Sequence, residues 1–509
     1  MATYVEAIQP LTTENTLTRT IADLEQRVAG TYWQGSMYSV AYDTAWVGAV
    51  KRDNKPRFPT AIQWLLDNQH SDGSWGGVPS FVCDRLLATS AAVGTLMDYP
   101  HFGSEVKRGL GWIARTLPTI QQGLAIDTAG FEFLLPAMLR RIADHGVDLG
   151  TEIGYLLKKQ KEKLAKAPLE QVLKKRSARD FTVELLAGNE EMVPNLDHLV
   201  GDDGSIATTP ASTAWYLPLS KDKQSEMMAY LEATQQADGG WPSFADFELY
   251  NTVFTLYPLS KVGYRKVKFK KVLRERVKPK YKETGIGWSD NFPVSDADDT
   301  SVGLYLLHDY RLIGPKNKLW SVIDQYEQEN YFETFPNETG YSNMVNLHIL
   351  DMYLNSRLPR REEVGEKLYQ FFAKQVTATE GLGGDKYHLS PYCQNNHGVL
   401  TFAKYAPELA EKLHEWFNRE QHPTGLWGMS EEMPTVEETA YAVLAQSYYH
   451  KHVDPIDLAL LESAVQYLTW QWNTEYPTLW LSKVLYTPVE IIQSHVLAAL
   501  LAYKQAMED

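Results

Sequence analysis

The sequence predicts an all-α fold in which helices pair around a ring, and three observations carry that expectation. Apolar residues recur with a period of about 3.6 through most of the chain, as in "DRLLATSAAVGTL", "TAYAVLAQSYYH", "LALLESAVQYLTWQW" and "IIQSHVLAALLAY". Sustained alternation of period two is absent, so strands are expected to be few. A short motif, Q-x-x-[D/T]-G-x-W, recurs as "QHSDGSW" (69–75), "QQADGGW" (235–241) and "QHPTGLW" (421–427).

Each copy of the motif follows an amphipathic stretch, with a small-residue-rich one downstream. "DRLLATSAAV" follows the first and "TVEETAYAVLAQ" the third. The glycine supplies a positive-φ turn at a helix end. The glutamine amide can bond the terminal groups left open on the next helix, and the tryptophan can stack over it. The motif therefore reads as a staple between successive helices of a toroid. A ring of helix pairs encloses a central cavity, which is where a site would lie.

The remaining segments fit that plan. At 509 residues the chain is long enough for two or three domains. Residues 150–180, "GTEIGYLLKKQKEKLAKAPLEQVLKKRSAR", turn basic and predict a long exposed helix near the end of a first helical unit. "GDDGSIATTPAST", near residue 200, reads as a turn followed by a newly capped helix. The 14 Trp, 29 Tyr and 17 Phe are enough to build a deep apolar cavity with π-faced walls. The formal charge of −15 argues against non-specific nucleic-acid binding. The basic run 261–282 is read as a solvated helix face, with attraction of an anionic substrate as the other reading. Two cysteines, Cys83 and Cys393, lie far apart without a CxxC, which excludes a disulfide scaffold and a thiolate zinc site. No export signal or run of ~18–20 apolar residues is visible, so a cytoplasmic location without a transmembrane segment is expected.

A crowded acidic stretch is "VSDADDTS", with Asp296, Asp298 and Asp299 in four positions before an apolar run. It has three readings: a helix N-cap with favourable dipole interactions, a divalent-metal site, or a carboxylic acid kept protonated for general-acid work.

D-x-D-D-T at a helix start, with Gln/Trp repeats on an all-α chain, resembles the class II terpene cyclases. Nine blocks carry the resemblance in order: "AYDTAWVG" (41–48), "WLLDNQHSDGSWG" (64–76), "DRLLAT" (84–89), "GFEFLLPAML" (130–139), "TPASTA" (209–214), "GIGWSDNFPVSDADDTS" (285–301), "DKYH" (385–388), "EETAYAVLA" (437–445) and "LWLSKVLY" (479–486). The likeness is to bacterial two-domain diterpene cyclases of the halimadienyl, kolavenyl and copalyl diphosphate synthase kind. It implies two α-barrels in a βγ arrangement with the active site between them. The β domain would comprise 1–55 and 201–509, and the inserted γ domain 56–200.

The resemblance also implies the chemistry. Asp298 would protonate the terminal alkene of geranylgeranyl diphosphate, with Asp296 and Asp299 orienting it and tuning its acidity. An alkene is a very weak base, so the donor must be neutral and its developing anion stabilised. Crowding in a desolvated pocket raises a carboxyl's pKa. Trp288 and Trp241 would line the cavity and stabilise moving positive charge. Lys163 and Lys386 match diphosphate-binding positions, Mg²⁺ would act as a phosphate counter-ion, and Asp127 is the candidate metal ligand. No D-D-x-x-D or N-S-E-like motif is evident, so the diphosphate would be kept in a bicyclic product, for a downstream class I synthase or another diphosphate-processing enzyme. The plant enzymes' deprotonating His–Asn pair falls at Glu184 and Ser243, which makes Glu184 a candidate base and leaves a halimane, clerodane or labdane skeleton open. The rival readings are a sesquiterpene cyclase making drimenyl diphosphate from farnesyl diphosphate, a squalene–hopene-type cyclase, a toroidal glycoside hydrolase, and a non-catalytic helical scaffold.

Overall fold

Six helices, most of them buried on nearly every side, close into a ring: Glu248–Lys261, Ala297–Asp309, Asn343–Ser356, Pro391–Phe402, Val436–His452 and Val489–Glu508. Each packs on the next, and the last returns to the first. The computed structural model describes residues 14–508, apart from 34, 100, 122, 125, 127, 150–153, 167–172, 189, 337, 339, 357 and 431–432. Helices with one buried stripe form the outer layer, because their charged faces are satisfied only by water. Arg361–Thr379, Pro407–Arg419 and Glu462–Gln471 pack there, and Glu14–Thr31 lies against the C-terminal helix.

A second, smaller ring runs through Ala41–Gly48, Val82–Met97, Phe131–Ala143, the 3₁₀ run Ala178–Leu186 and Pro210–Tyr216, again returning to its start. Ala88, Ala91 and Ala92 keep one face of its central helix small, so neighbouring backbones approach closely. Ala41–Gly48 and Pro210–Tyr216 pack together in this ring, and Asp43 of the first caps the second: its Oδ1 accepts from the Ala211 N–H (2.9 Å) and the Thr209 hydroxyl (3.1 Å).

The three Gln/Trp motifs have one geometry. Gly73, Gly239 and Gly425 have φ of +94°, +90° and +81°. The indole N–H groups of Trp75, Trp241 and Trp427 donate to the carbonyls of Leu65, Leu231 and Phe417, each ten residues upstream. Their backbone N–H groups donate to Thr89, Thr44 and Thr439 hydroxyls. The glutamine amides bond Glu105 O, Thr60 Oγ1 and Leu460 O on neighbouring elements. Trp241 is thus a staple, edge-on to Phe58, rather than part of the aromatic group around Trp288.

The strands found among the described residues are two short hairpins. One matters for the site: Trp480 pairs with Tyr486 and Leu481 with Leu485, carrying a turn with Lys483 into the smaller ring. Within 150–180, where a long exposed helix is expected, the described helix is Gly154–Lys166. The basic run 261–282 forms the helix Val267–Val272 and a π-turn. Phe269, Val272 and Leu273 point inward while Lys268, Lys270 and Lys271 face solvent. No helix among the described residues is long and apolar enough to cross a membrane.

Candidate functional site

The loop "GIGWSDNFPVSD" holds the start of the Ala297–Asp309 helix in place. A Cβ on Gly285 would sit 2.2 Å from Thr300 Oγ1, and one on Gly287 2.4 Å from Val294 O, so only glycine lets the loop fold back here. The Thr300 hydroxyl accepts from Ile286 N–H (3.0 Å) and donates to Ile286 O (3.1 Å). Asp296 is the N-cap, its Oδ1 accepting from the Asp299 N–H at 2.8 Å. The capping reading of this motif is therefore correct for one of its three aspartates.

The other two differ in what they face. Asp296 and Asp299 are 3% and 4% exposed, and each has a buried carboxyl oxygen without a hydrogen-bond partner. The Asp298 side chain keeps 19% of its surface accessible. Burial pushes the Asp296 carboxyl up to about 7, partly offset by bonds from Asp299. Burial and the charge of Asp296 push Asp299 well above the carboxylate range. Two crowded, desolvated carboxyls thus sit beside one that stays partly accessible.

Asp298 Oδ1 lies 2.6 Å from His348 Nδ1, and His348 Nε2 lies 2.9 Å from His397 Nδ1. Burial and the neighbouring histidines hold His397 well below the usual imidazole value, so it is neutral. Tyr257 stacks on His397 at 5.6 Å and donates to Asp351 Oδ2 (2.8 Å), which pairs with buried Lys261 (2.7 Å). These groups come from four inner helices of the larger ring. Neither histidine is identified by the sequence reading.

From His348 an unbroken run of aromatic contacts leads to the smaller ring. Phe254 touches His348, Tyr250 touches Phe254, and the Tyr250 hydroxyl meets that of Tyr486 at 3.1 Å. Tyr486 touches Phe244, Phe244 touches Trp288, and Trp288 touches Phe181. The Trp288 N–H donates to Thr208 Oγ1 at 2.9 Å. At the far end the Lys483 ammonium lies 4.7 Å from the Phe181 ring.

The remaining sequence candidates cluster elsewhere. Glu184 is fully buried and paired to Lys483 at 2.9 Å, and it also accepts from Tyr42 (3.1 Å) and Ser212 (2.6 Å). Three donors thus converge on the Glu184 carboxyl, one of them the Lys483 ammonium. Ser243 meets Ser482 on the same turn at 2.9 Å. Lys163 pairs with Glu132 (2.7 Å) and Lys386 with Glu338 (2.7 Å). Asp127 lies outside the described residues. Among the described residues no group of three or more His, Cys, Asp or Glu is arranged to hold a metal ion.

Comparison with known proteins adds kinship to this geometry. No family model matches the chain. It is 27% identical to a type B diterpene cyclase of Mycobacterium tuberculosis over 91% of this chain and 95% of that protein. It is 27% identical to a copalyl diphosphate synthase of Talaromyces verruculosus over 97% of this chain, which spans about half (56%) of that relative. In fold it matches the ent-copalyl diphosphate synthase of Streptomyces platensis, with a TM-score of 0.76 at 21% identity, covering 96% of this chain and 100% of that one. The Arabidopsis thaliana ent-copalyl diphosphate synthase, solved with an aza-geranylgeranyl thiolodiphosphate, matches 96% of this chain and 63% of its own with a TM-score of 0.68 at 21% identity. These structures share the two-ring helical architecture described above.

Proposed function

We propose that this chain, a class II diterpene cyclase by kinship and by fold, cyclises geranylgeranyl diphosphate to a bicyclic diphosphate with Asp298 as the proton donor. The observation that carries this reading is that Asp298 is the accessible carboxyl of the three and heads an aromatic run across both rings. The relatives' names supply the substrate class.

In this reading His348 donates its Nδ1–H to Asp298 Oδ1 and accepts from His397 Nδ1–H. That arrangement leaves the acid proton on the other carboxyl oxygen, facing the alkene, and stabilises the anion formed as the proton leaves. Burial raises both Asp296 and Asp299, so less negative charge opposes the ionisation of Asp298 than in an exposed trio of carboxylates. Phe254, Tyr250, Tyr486, Phe244 and Trp288 present π-faces to the migrating charge, each contributing up to ~2 kcal/mol in a dry site. The diphosphate would lie toward the Lys163–Glu132 end, near Phe181.

Mg²⁺ fits that end through one side chain. Glu132 Oε1 pairs with Lys163 (2.7 Å) while its buried Oε2 has no hydrogen-bond partner, and Mg²⁺ commonly binds one or two carboxylates plus substrate phosphate. When bound, the ion would neutralise phosphate charge. We further propose that the inserted unit runs from Ala41 to the Gln224–Ala233 helix, and that the enzyme acts in the cytoplasm ahead of an enzyme that processes its diphosphate.

The test is to incubate the protein and Asp298→Asn with Mg²⁺ and geranylgeranyl, farnesyl or squalene substrates, then analyse the products after phosphatase treatment. The parent should give a bicyclic C20 alcohol and the variant none, with unchanged circular dichroism. Normal turnover by the variant overturns the assignment of the acid, and a preference for the C15 substrate replaces the C20 reading with drimane synthesis.

A further inference from the structure

We infer that Asp246 and Glu248 form a proton-inlet pair that recharges Asp298 between turnovers, an inference that rests on the proton-initiated reaction proposed above. The cyclisation is an isomerisation. It takes one proton from Asp298 and releases one elsewhere in the cavity when the final cation is deprotonated. After each turnover Asp298 is a carboxylate whose open side faces hydrocarbon. Its proton must therefore come through groups the substrate does not cover, and the buried Asp296–Asp299 side offers such a route.

A solvent-facing cavity of about 460 Å³ lies against the loop that leads into Asp296: Asp290 of that loop is in its wall, and the Leu249 and Tyr250 N–H groups donate to Trp288 O of the same loop (3.1 Å each). Its wall carries Asp246, Glu248, Glu275, Arg276, Lys280 and Asp290. Glu248 opens the helix Glu248–Lys261, two residues before Tyr250 of the aromatic run. Glu248 Oε2 is buried and has no hydrogen-bond partner. Asp246 stands beside it on a backbone of φ +61°, a region a non-glycine residue rarely adopts without a reason in its surroundings. Its Oδ2 accepts from Asn291 Nδ2 (2.5 Å) and from the Ser289 hydroxyl (3.3 Å).

Burial and the bonded Asp246 push the Glu248 carboxyl up to about 8, so it carries a proton at neutral pH, as a donor in water's reach should. The charge of Glu248 also acts on Asp299, which ties the pair to the triad. The other charged groups around the cavity are engaged. Lys280 pairs with Asp290, Glu275 with Arg274, and Arg276 lies over the Trp33 ring. In the recharging step a water-borne proton joins the Asp246–Glu248 pair, the Glu248 O–H proton passes to the Asp299 side, and a proton held there restores neutral Asp298. One proton enters as one leaves with the product's deprotonation, so charge balances over the cycle.

The pair acts through the triad and not on the substrate, which sets the test. Rapid-quench kinetics with geranylgeranyl diphosphate would compare the parent, Glu248→Gln and Glu248→Asp, pre-equilibrated at pH 7. Glu248→Gln should make its first product per enzyme within about twofold of the parent rate, then slow by roughly 10²-fold, on the scale of a lost proton-transfer group. Glu248→Asp should keep most of the steady rate, and a small carboxylic acid in the buffer should partly rescue Glu248→Gln. A Glu248→Gln steady rate equal to the parent's, or a first turnover slowed as much as later ones, overturns the relay. Infrared difference spectra between pH 6 and 9 give a second readout: a protonated-carboxyl band present in the parent should be missing in Glu248→Gln, and an unchanged band contradicts the inference. A parent that forms no cyclic product overturns the proposed function itself, and the relay with it.

Discussion

Asp298 and His348, fifty residues apart in sequence, meet at 2.6 Å, and His348 passes the contact on to His397 at 2.9 Å. The pairing gives the acid a fixed orientation and gives its anion a partner. A lone carboxyl in an aromatic cavity would have neither.

Replacing His348 by Gln should lower kcat by about 10²-fold or more, the usual scale for a group that stabilises charge developing at the reacting acid. KM should change far less, because His348 is aimed at Asp298 and away from the diphosphate end. Steady-state kinetics with geranylgeranyl diphosphate check this, and an equal loss in kcat and gain in KM would assign His348 to substrate binding instead.

Glu184 and Lys483 form a buried pair with no exposed surface on either side chain. Glu184→Ala strands the ammonium beside Thr209 and the Phe181 ring, and should cost about 3–5 kcal/mol in urea unfolding. The product skeleton made by the surviving folded enzyme should be unchanged, as read by NMR. A stable variant with a new skeleton would support Glu184 as the terminating base.

The staples have a separate signature. Trp75 and Trp427 are essentially inaccessible and bonded across ten residues. Trp427→Ala should cost about 3–5 kcal/mol through the cavity left behind. Activity per folded molecule at low temperature should persist, because Trp427 joins no contact in the aromatic run.

Asp43 predicts a pH dependence. Its burial, partly opposed by Lys483, raises the carboxyl to about 7, against about 3.9 in an unfolded chain. Between those values the folded protein holds a proton that the unfolded chain has lost. Its contribution to stability is therefore complete below about pH 4 and is lost as pH rises through about 7. Urea midpoints measured from pH 4 to 8 should fall less steeply with pH for Asp43→Asn than for the parent. A parallel pair of curves would show Asp43 to be ionised in the folded state.

How much of this was legible in the sequence follows from the range of the interactions. The staples are local: glutamine, glycine and tryptophan sit within seven residues, so their turn geometry can be read directly. Asp296, Asp298 and Asp299 are adjacent, and their crowding is visible without a fold. His348 is not legible, because in "NMVNLHILDMY" nothing distinguishes it from a core histidine until Asp298 is placed beside it. Lys483 in "WLSKVLY" likewise gains meaning only from Glu184, 299 residues away. The cap that Asp43 gives the Pro210–Tyr216 helix is illegible for the same reason, since 168 residues separate Asp43 from Ala211.

The central claim, that a carboxyl proton starts the reaction, is tested most directly by running it in D₂O and locating deuterium in the product. One deuterium per molecule, on the carbon of the former terminal alkene, with the diphosphate still attached, is the predicted result. A cyclic product without deuterium, or one formed with release of inorganic diphosphate, would contradict the account.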